Sequence, residues 1–372
     1  MKWNWQLPKW PHFQYDSAGL GDLEKKFFQE AGGASAILRH LEADKKKLFI
    51  IELLCLEGFN SSAIEGELLE RHSLQSSIQC HFGIQVKAPG ISGKEKGMGE
   101  LMWLVYSTYD QELTHETLFT WHKTLMNDES KINDIGKYRS HDEPMQIISG
   151  RLDRQTVFFE APPSKIILPE MNRFIEWFNS PAQKESTLAR AAITHLYFES
   201  IHPFEDGNGR IGRALVEKSL SQALNHPTLI AVSREISSRK KEYYAKLAAC
   251  NHTLEITEWI HFFADIILHA QGESFRLINF LMAKARIMRS LDGKINPRQE
   301  KVLIRIFAEG PKGFAGGLSA ENYIAITKTS RATATRDLAE LVEFDVLYKT
   351  GHLRHTRYWL NLKIQQKRSS LP

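Results

Sequence analysis

The chain has 372 residues, of which 42% are hydrophobic and 25% are charged, and its formal net charge is +4. This composition excludes a disordered chain, and no run approaches the 18 apolar residues that a membrane span requires. Three scattered cysteines exclude a disulfide framework, and the Trp- and Pro-rich residues 1–15 lack the apolar segment of a signal peptide. We therefore expect a cytoplasmic protein without membrane contact.

The N-terminal region, residues 1–95, is predicted to hold an aromatic arm and several helices. The arm, residues 1–20, carries three tryptophans and is expected to pack against the main domain or, as the alternative, to contact a partner. Helices are predicted over 21–57 with a break at Gly32-Gly33, and a new helix is predicted to begin at Asn60-Ser61-Ser62.

The central region, residues 96–290, is predicted to be nearly all helical with one hairpin, after an irregular stretch at 74–97. Apolar periodicity and turn residues give the helix positions. The predicted helices cover 99–109, 118–122, 169–179, 186–200, 210–224, 233–249 and 256–290. Two short β-type runs, 146–148 and 156–159, flank Gly150 and predict the hairpin.

The segment from His202 to Arg213, between two of these helices, carries most of the chemistry. Gly207 and Gly209 permit positive φ and close approach of a ligand, and their N–H groups form an anion-binding nest at a helix start. Arg210 and Arg213 are three residues apart, so both guanidinium groups are expected to reach one anion there. The pattern is typical of a loop that binds nucleotide phosphates.

Two further side chains of this segment are candidates for chemistry. His202 precedes a proline, so we expect an extended backbone there and an imidazole that points into the site as a general base. Asp206 lies at the mouth of the nest and is a candidate Mg²⁺ ligand, because Mg²⁺ takes one or two carboxylates together with phosphate oxygens.

The whole string His202–Arg213 resembles the signature of the Fic family, and every fixed position of that signature is filled. Most Fic proteins transfer AMP from ATP to a Ser, Thr or Tyr hydroxyl of a target protein and release pyrophosphate. A kinase-like branch has Lys in place of Gly209, so this chain is expected to transfer AMP. The roles that the resemblance implies are base for His202, Mg²⁺ ligand for Asp206, phosphate cradle for Gly207, Asn208 and Gly209, β- and γ-phosphate contacts for Arg210 and Arg213, and buried loop anchor for Phe204.

Ser61-Ser62-Ala63-Ile64-Glu65-Gly66 has two interpretations. Ser62 and Glu65 form a helix capping box, which needs no function. The string also resembles the Fic inhibitory motif, in which the glutamate on an N-terminal helix pairs with the last signature arginine and leaves ATP poorly placed. With a complete signature downstream we favour inhibition, with Ser61, Glu65 and Gly66 as its residues and Arg213 as the partner.

Tyr243 and Tyr244 lie downstream of the signature, where related proteins have a tyrosine near the nucleotide. Core packing explains them equally well. Both are therefore candidate nucleotide contacts with an open alternative.

The C-terminal region, residues 298–362, is predicted to be a separate module after a linker at 292–297. Three helices and a basic hairpin resemble a winged helix, with Ser330 as the N-cap of the third helix. Residues 298–372 hold 13 basic and 7 acidic side chains, a net charge of +6, which favours weak DNA binding; docking of a protein is the equal alternative. Residues 363–372 are expected to be disordered.

Together these observations predict a mainly α protein with a Fic core, a β-hairpin flap and a winged helix. The expected function is self-inhibited, Mg²⁺-dependent protein adenylyl transfer from ATP to a target hydroxyl and to the chain itself. The alternatives are a DNA-binding regulator with a nucleotide-sensing core, against which the intact His202 argues, and a Fic enzyme that transfers another group or removes AMP. A homodimer is compatible with each of these hypotheses.

Overall fold

A computed structural model describes residues 1–39, 41–86, 92–151, 154–181 and 185–362. It confirms the mainly α fold class. The helices of the described chain are α1 (Leu20–Arg39), α2 (Ala43–Ile64), α3 (Arg71–His81), α4 (Gly93–Ser107), α5 (His115–Leu125), α6 (Ile167–Asn179), α7 (Thr187–Ile201), α8 (Asn208–Leu224), α9 (Val232–Ser238), α10 (Lys240–Ala249), α11 (Thr257–Ser290), α12 (Pro297–Ala308), α13 (Ala320–Thr327) and α14 (Arg331–Glu343).

Two antiparallel hairpins complete the described secondary structure. The first pairs β1 (Gln146–Arg151) with β2 (Arg154–Glu160), and its register shifts between Ile147 and Ile148. The second pairs β3 (Leu347–Thr350) with β4 (Arg357–Leu360). Both hairpins were predicted. No helix among the described residues is both long enough and apolar enough to cross a bilayer.

The predicted boundaries in the N-terminal region are wrong in two places. Helix α1 continues through Gly32-Gly33, because a helical glycine costs only about 1 kcal/mol relative to alanine and the preceding turns bury Phe27 and Ala31. Residues 60–62 lie in the last turn of α2 and do not begin a helix. Their small polar side chains resemble a helix start in sequence, but Ser61 and Ser62 are buried.

Helix α3 lies in a stretch that was predicted to be irregular. Its sequence is mostly polar, so the apolar periodicity was too weak to indicate a helix. The carboxylate of Glu70 caps it by accepting hydrogen bonds from the backbone of His72 and Ser73, at 3.0 Å and 2.5 Å, and α3 packs against α2 and α4. The predicted helix at 233–249 is likewise divided, into α9 and α10, at Arg239.

The chain forms two compact units, Met1–Ser274 and Phe275–Pro372, divided within α11 and upstream of the predicted linker. In the first unit α7 is the central helix, with every residue from Leu188 to Ile201 buried. It packs against α8, α6 and α1, and its end leads directly into the segment that begins at His202.

The second unit contains α12, α13, α14 and the β3–β4 hairpin. Ser330 caps α14 by accepting from the backbone of Thr333, as predicted. Asp337 on α14 is buried and accepts hydrogen bonds from Arg298 and Tyr323 at 2.9 Å each, which joins the three helices. These elements are the ones expected of a winged helix, and the assignment as a winged helix stays a prediction. The predicted disordered tail, 363–372, lies outside the described residues.

Candidate active site

His202 ends α7 and is not extended as predicted. Its φ of 50° and ψ of 59° put it in the left-handed region, because Pro203 disfavours continuation of the helix and a left-handed residue ends a helix well. For a side chain other than glycine this conformation costs roughly 1–2 kcal/mol. The surrounding residues must therefore hold His202 in place.

Arg139 supplies part of that support. Its Nε donates to the His202 carbonyl at 2.9 Å, its backbone N–H donates to the Pro203 carbonyl at 3.0 Å, and its Nη2 donates to the Pro162 carbonyl. The side chain is only 2% exposed. A buried arginine that binds backbone carbonyls thus fixes the strained end of α7.

Phe204 is the buried anchor that the sequence predicted. Its ring is fully buried and stacks on His122 with a centroid separation of 4.1 Å. His122 Nδ1 accepts from the Gly136 N–H at 2.9 Å, so its Nε2 carries the proton and donates to the Asp206 carbonyl at 3.2 Å. Burial lowers the pKa of His122 to about 4, which keeps this bridging ring neutral.

The three residues Gly207, Asn208 and Gly209 differ in what they contribute. Gly207 has a φ of 80° and is the N-cap of α8. Asn208 is buried, and its side chain bonds both the N–H and the carbonyl of Phe204, at 3.0 Å and 2.8 Å. The positive φ expected at Gly209 is wrong, because Gly209 lies inside α8; a Cβ there would be 2.1 Å from Oε1 of Glu65.

These residues line a cavity of about 650 Å³. The first N–H groups of α8 have no acceptor within the helix, so its positive end is available to an anion. The lining includes the predicted site residues Glu65, His202, Asp206, Gly207, Asn208, Gly209, Tyr243 and Tyr244, together with hairpin residues such as Ile147 and Phe158. The volume suits a nucleotide-sized ligand.

Glu199 lies beside His202 in this cavity, with its Oε2 3.8 Å from Nδ1 of the histidine. Burial and the nearby Glu65 raise the pKa of Glu199 to about 8. Burial and the charge of Arg139 lower the pKa of His202 to about 4. His202 is therefore neutral at pH 7, which is the form that accepts a proton.

Arg213 is buried and makes three polar contacts with one segment, residues 61–65. Nη1 lies 2.7 Å from Oε1 of Glu65. Nε and Nη2 donate to the hydroxyl and the carbonyl of Ser61 at 2.9 Å and 2.8 Å. Since Ser62 lies in the last turn of α2 and Glu65 is its C-cap residue, the capping-box interpretation is wrong. Gly66 follows with a φ of 84°.

Arg210 does not share an anion site with Arg213 in this structure, contrary to the expectation from spacing. Its Nη1 lies 2.6 Å from Oε2 of Glu67, and its Nη2 lies 3.5 Å from Oδ1 of Asp206. These groups border a second cavity of about 360 Å³, to which Glu65 also belongs. The two guanidinium groups are thus each held by a different carboxylate.

The two tyrosines have different environments. Tyr243 is 2% exposed, belongs to the core, and its hydroxyl lies 2.7 Å from Nε2 of His195. Tyr244 is 41% exposed and its hydroxyl donates to the carbonyl of Ile64 at 3.4 Å. Both line the cavity, so Tyr243 packs in the core and also forms part of the cavity wall.

The hairpin over the cavity is held along β2. Asn251 donates to the Phe158 carbonyl at 2.8 Å, and Trp5 Nε1 donates to the Glu160 carbonyl at 2.7 Å. Asn4, fully buried, donates to the hydroxyl of Ser200 at 2.9 Å. The aromatic arm thus packs against the main domain, and the outer edge of β2 is occupied.

Within the described residues no group of three or more His, Cys, Asp or Glu side chains could hold a metal by itself. Asp206 is half-exposed at the cavity and its Oδ1 accepts from the Gly207 N–H at 2.5 Å. A single carboxylate at the positive start of a helix fits Mg²⁺ that is bound mainly through water and phosphate oxygens.

Several residues of the site were missed by the sequence reasoning: Arg139, His122, Glu199, Glu67 and Asn251. Arg139 and His122 lie outside the signature, and their roles depend on tertiary contacts. Glu199 had a signal, because a residue three positions before His202 on α7 shares its helix face. Glu67 had a similar signal in the sequence, because it lies two residues after Glu65.

Comparison with known proteins agrees with this site. Residues 112–220 match the model of the Fic/DOC family, and residues 3–84 match DUF4172, a domain of unknown function. The protein adenylyltransferase fic-1 of Caenorhabditis elegans is 23% identical over 268 residues, which are 69% of this chain and 48% of that protein. The protein adenylyltransferase Fic of Nematostella vectensis is 26% identical over 211 residues, 55% and 45% of the two chains.

Two solved structures share the fold. A Fic family protein from Desulfovibrio desulfuricans has a TM-score of 0.51 at 22% identity and covers 91% of this chain and 95% of its own. A Fic domain containing signaling protein from Bacteroides thetaiotaomicron has a TM-score of 0.52 at 19% identity, covering 68% and 97%.

Fold and site together define a helical protein built around a Fic-type loop. Residues 112–220 of the chain form a Fic domain. It spans about half the length of the curated relatives that it matches.

Proposed function

We propose that this protein is an ATP- and Mg²⁺-dependent protein adenylyltransferase that is inhibited by its own Glu65. The observation that carries the proposal is a cavity lined by neutral His202, by the start of α8 and by Glu65. Glu65 is at the same time paired with Arg213. The printed names of the relatives, protein adenylyltransferases, support AMP transfer. We propose the cytoplasm as its location, on the basis of the scattered cysteines.

In the proposed reaction a target hydroxyl attacks the α-phosphorus of ATP. An oxygen–phosphorus bond forms, the bond from the α-phosphorus to the bridging oxygen breaks, and pyrophosphate leaves. His202 takes the hydroxyl proton, and the N–H groups at the start of α8 bind the phosphates. Catalysis consists mainly of positioning and charge stabilisation.

Asp206 is the residue that would hold Mg²⁺, which supplies charge neutralisation to the phosphates when bound. Arg213, once released from Glu65, would contact the γ-phosphate as the family resemblance implies. The pair with Glu65 keeps that guanidinium from ATP, which is the proposed basis of inhibition.

The target would bind as an added strand on the hairpin. The carbonyls of Phe158 and Glu160 on β2 are already bonded to Asn251 and Trp5. The outer edge of β1 is therefore the proposed position for the target strand, beside exposed Ile147.

The test is Glu65→Gly in the full chain, incubated with Mg²⁺ and ATP labelled in its α-phosphate. We expect label on the protein itself and on added target proteins to rise more than about tenfold, since tenfold corresponds to about 1.4 kcal/mol of barrier and charge-assisted hydrogen bonds reach that size. The melting temperature should fall, because buried Arg213 loses its countercharge.

Glu70→Ala is the matched control. It removes the N-cap of α3 without touching Arg213. It should lower the melting temperature and leave labelling unchanged. His202→Ala in the Glu65→Gly background should abolish label while ATP still binds. If Glu65→Gly binds ATP but acquires no label, this result would contradict adenylyl transfer. It would favour nucleotide sensing or the transfer of another group.

A further inference from the structure

Glu67 holds the first arginine of the signature in the way that Glu65 holds the last. We propose that Glu67 is a second inhibitory carboxylate, which keeps Arg210 from the phosphates of ATP. This inference rests on the proposed function and extends the self-inhibition to a residue that the sequence motif does not include.

The geometry of the Glu67 contact is that of a buried, specific pair. The distance from Arg210 Nη1 to Glu67 Oε2 is 2.6 Å, and the two side chains are only 7% and 20% exposed. The other oxygen of Glu67 lies 2.9 Å from Nζ of Lys94. Hydrogen bonding to Glu67 raises the pKa of Lys94. The carboxylate is thus bound between two cations.

Arg210 keeps unused hydrogen-bonding capacity close to the nucleotide loop. Its Nε is buried and has no partner among the described residues. Its Nη2 is 3.5 Å from Oδ1 of Asp206, which lines both cavities. Loss of the Glu67 contact would leave a guanidinium with free donors beside the proposed phosphate position.

Both inhibitory carboxylates are carried by one short segment. Glu65, Gly66 and Glu67 follow the end of α2, and the N–H of Glu67 donates to the Ser62 carbonyl at 3.0 Å. Oε1 of Glu65 lies against Gly209, in the first turn of α8, so the segment crosses the helix start between the two arginines. A displacement of this segment would release both guanidinium groups together.

The consequence is that removal of Glu65 alone gives incomplete activation. Arg213 becomes available, while Arg210 stays paired with Glu67. A second exchange, Glu67→Gln, removes the charge and retains the shape of the side chain. In the Glu65→Gly background it should raise the rate of labelling by about a further tenfold, the change that corresponds to the loss of one charge-assisted hydrogen bond.

The experiment compares wild type, Glu67→Gln, Glu65→Gly and the double variant as full chains. Calorimetry measures the affinities for ATP and for AMP in the presence of Mg²⁺, and α-labelled ATP measures self-modification. Glu67→Gln should strengthen ATP binding severalfold and leave AMP binding unchanged, because Arg210 is expected to contact only the outer phosphates. Lys94→Met removes the other cation on Glu67 and leaves the Glu67–Arg210 pair in place, so it should not reproduce the rise in ATP affinity.

Unchanged ATP affinity in Glu67→Gln and in a second variant, Glu67→Ala, would overturn the proposal, as would equal rates for Glu65→Gly and the double variant. A variant that only melts at a lower temperature would indicate a structural ion pair. If no variant transfers label, adenylyl transfer fails, but the difference between ATP and AMP affinities still decides whether Glu67 withholds Arg210.

Discussion

Arg213 needs a countercharge and hydrogen-bond acceptors because its guanidinium group is almost fully buried. A buried charge is stable only when it is paired and hydrogen-bonded; Glu65 supplies the countercharge, and Ser61 accepts hydrogen bonds from Nε and Nη2 of Arg213. The Glu65–Arg213 pair was predicted from the resemblance of residues 61–66 to the Fic inhibitory motif. The sequence could not predict Arg139, because its partners are backbone carbonyls brought near only by the fold.

At the same scale, Tyr243 and Tyr244 should respond differently to substitution. Tyr243→Phe removes the hydroxyl that contacts buried His195, so we expect a loss of about 1–3 kcal/mol in the free energy of unfolding with ATP affinity nearly unchanged. Tyr244→Ala changes a half-exposed cavity residue and should weaken ATP binding with little change in melting temperature. Thermal melts and calorimetry with ATP measure both; the reverse pattern would contradict these assignments.

At the scale of elements, the loop between α7 and α8 is fixed by Asn208, the first residue of α8, and by Arg139 and His122 from other parts of the chain. The sequence predicted both helices and the loop, since glycines and a proline interrupt two apolar patterns. The end of α2 was not predictable in the same way. Its serines resemble an N-cap locally, and only the contact of buried Arg213 with Ser61 explains why a small hydroxyl residue is needed there inside the last helical turn.

Substitutions of Asn208 and Asp206, which lie two residues apart, test two different properties. The first tests the structure of the loop, and the second tests metal binding. Asn208→Ala leaves the buried N–H and carbonyl of Phe204 without their side-chain partners, so we expect a loss of roughly 2–3 kcal/mol in stability together with reduced labelling. Asp206→Ala alters a half-exposed side chain and should abolish Mg²⁺-dependent labelling at a nearly unchanged melting temperature. Metal titration in the presence of nucleotide checks the second variant; unchanged Mg²⁺ affinity would favour Glu205 or a remote ligand.

At the scale of the whole molecule, the positive charge is concentrated in the second unit. Arg336 is exposed on α14, whereas Arg331 on the same helix pairs with Glu321 at 2.9 Å. Composition predicted the charge excess, but which arginines remain available depends on the fold.

We expect the full chain to bind duplex DNA weakly and in a strongly salt-dependent manner, through phosphates. Arg336→Glu should weaken binding and reduce the slope against salt by about one. Lys47→Glu, an exposed charge reversal on α2, is the control and should have a smaller effect. Fluorescence anisotropy at two salt concentrations measures this; no binding at low salt would eliminate DNA and leave protein docking.

The dependence of stability on pH is set by buried groups whose pKa values are shifted in opposite directions. Burial raises the pKa of Glu57 to about 7 and those of Glu199 and Glu217 to about 8, from 4.5. A raised carboxyl pKa contributes stability below pH 4.5, and this is lost as the pH rises through the folded-state value. Burial lowers the pKa values of His122 and His202 to about 4, from 6.5, so their contribution is lost as the pH falls.

Between pH 4.5 and 6.5 the histidines partly offset the three carboxyl groups, and above pH 6.5 these carboxyl groups continue to change without that offset. We therefore expect the free energy of unfolding to fall as the pH rises from 6.5 to 8, by about 1.4 kcal/mol per pH unit for each titrating group. Glu217→Gln stays neutral and can keep the bond from Thr228, so its decline over this range should be smaller. Urea unfolding at pH 6.5 and pH 8 measures the difference, with Glu300→Gln, an exposed carboxylate, as the control. An equal decline in the Glu217→Gln variant and in wild type would mean that Glu217 is already ionised in the folded protein at pH 6.5.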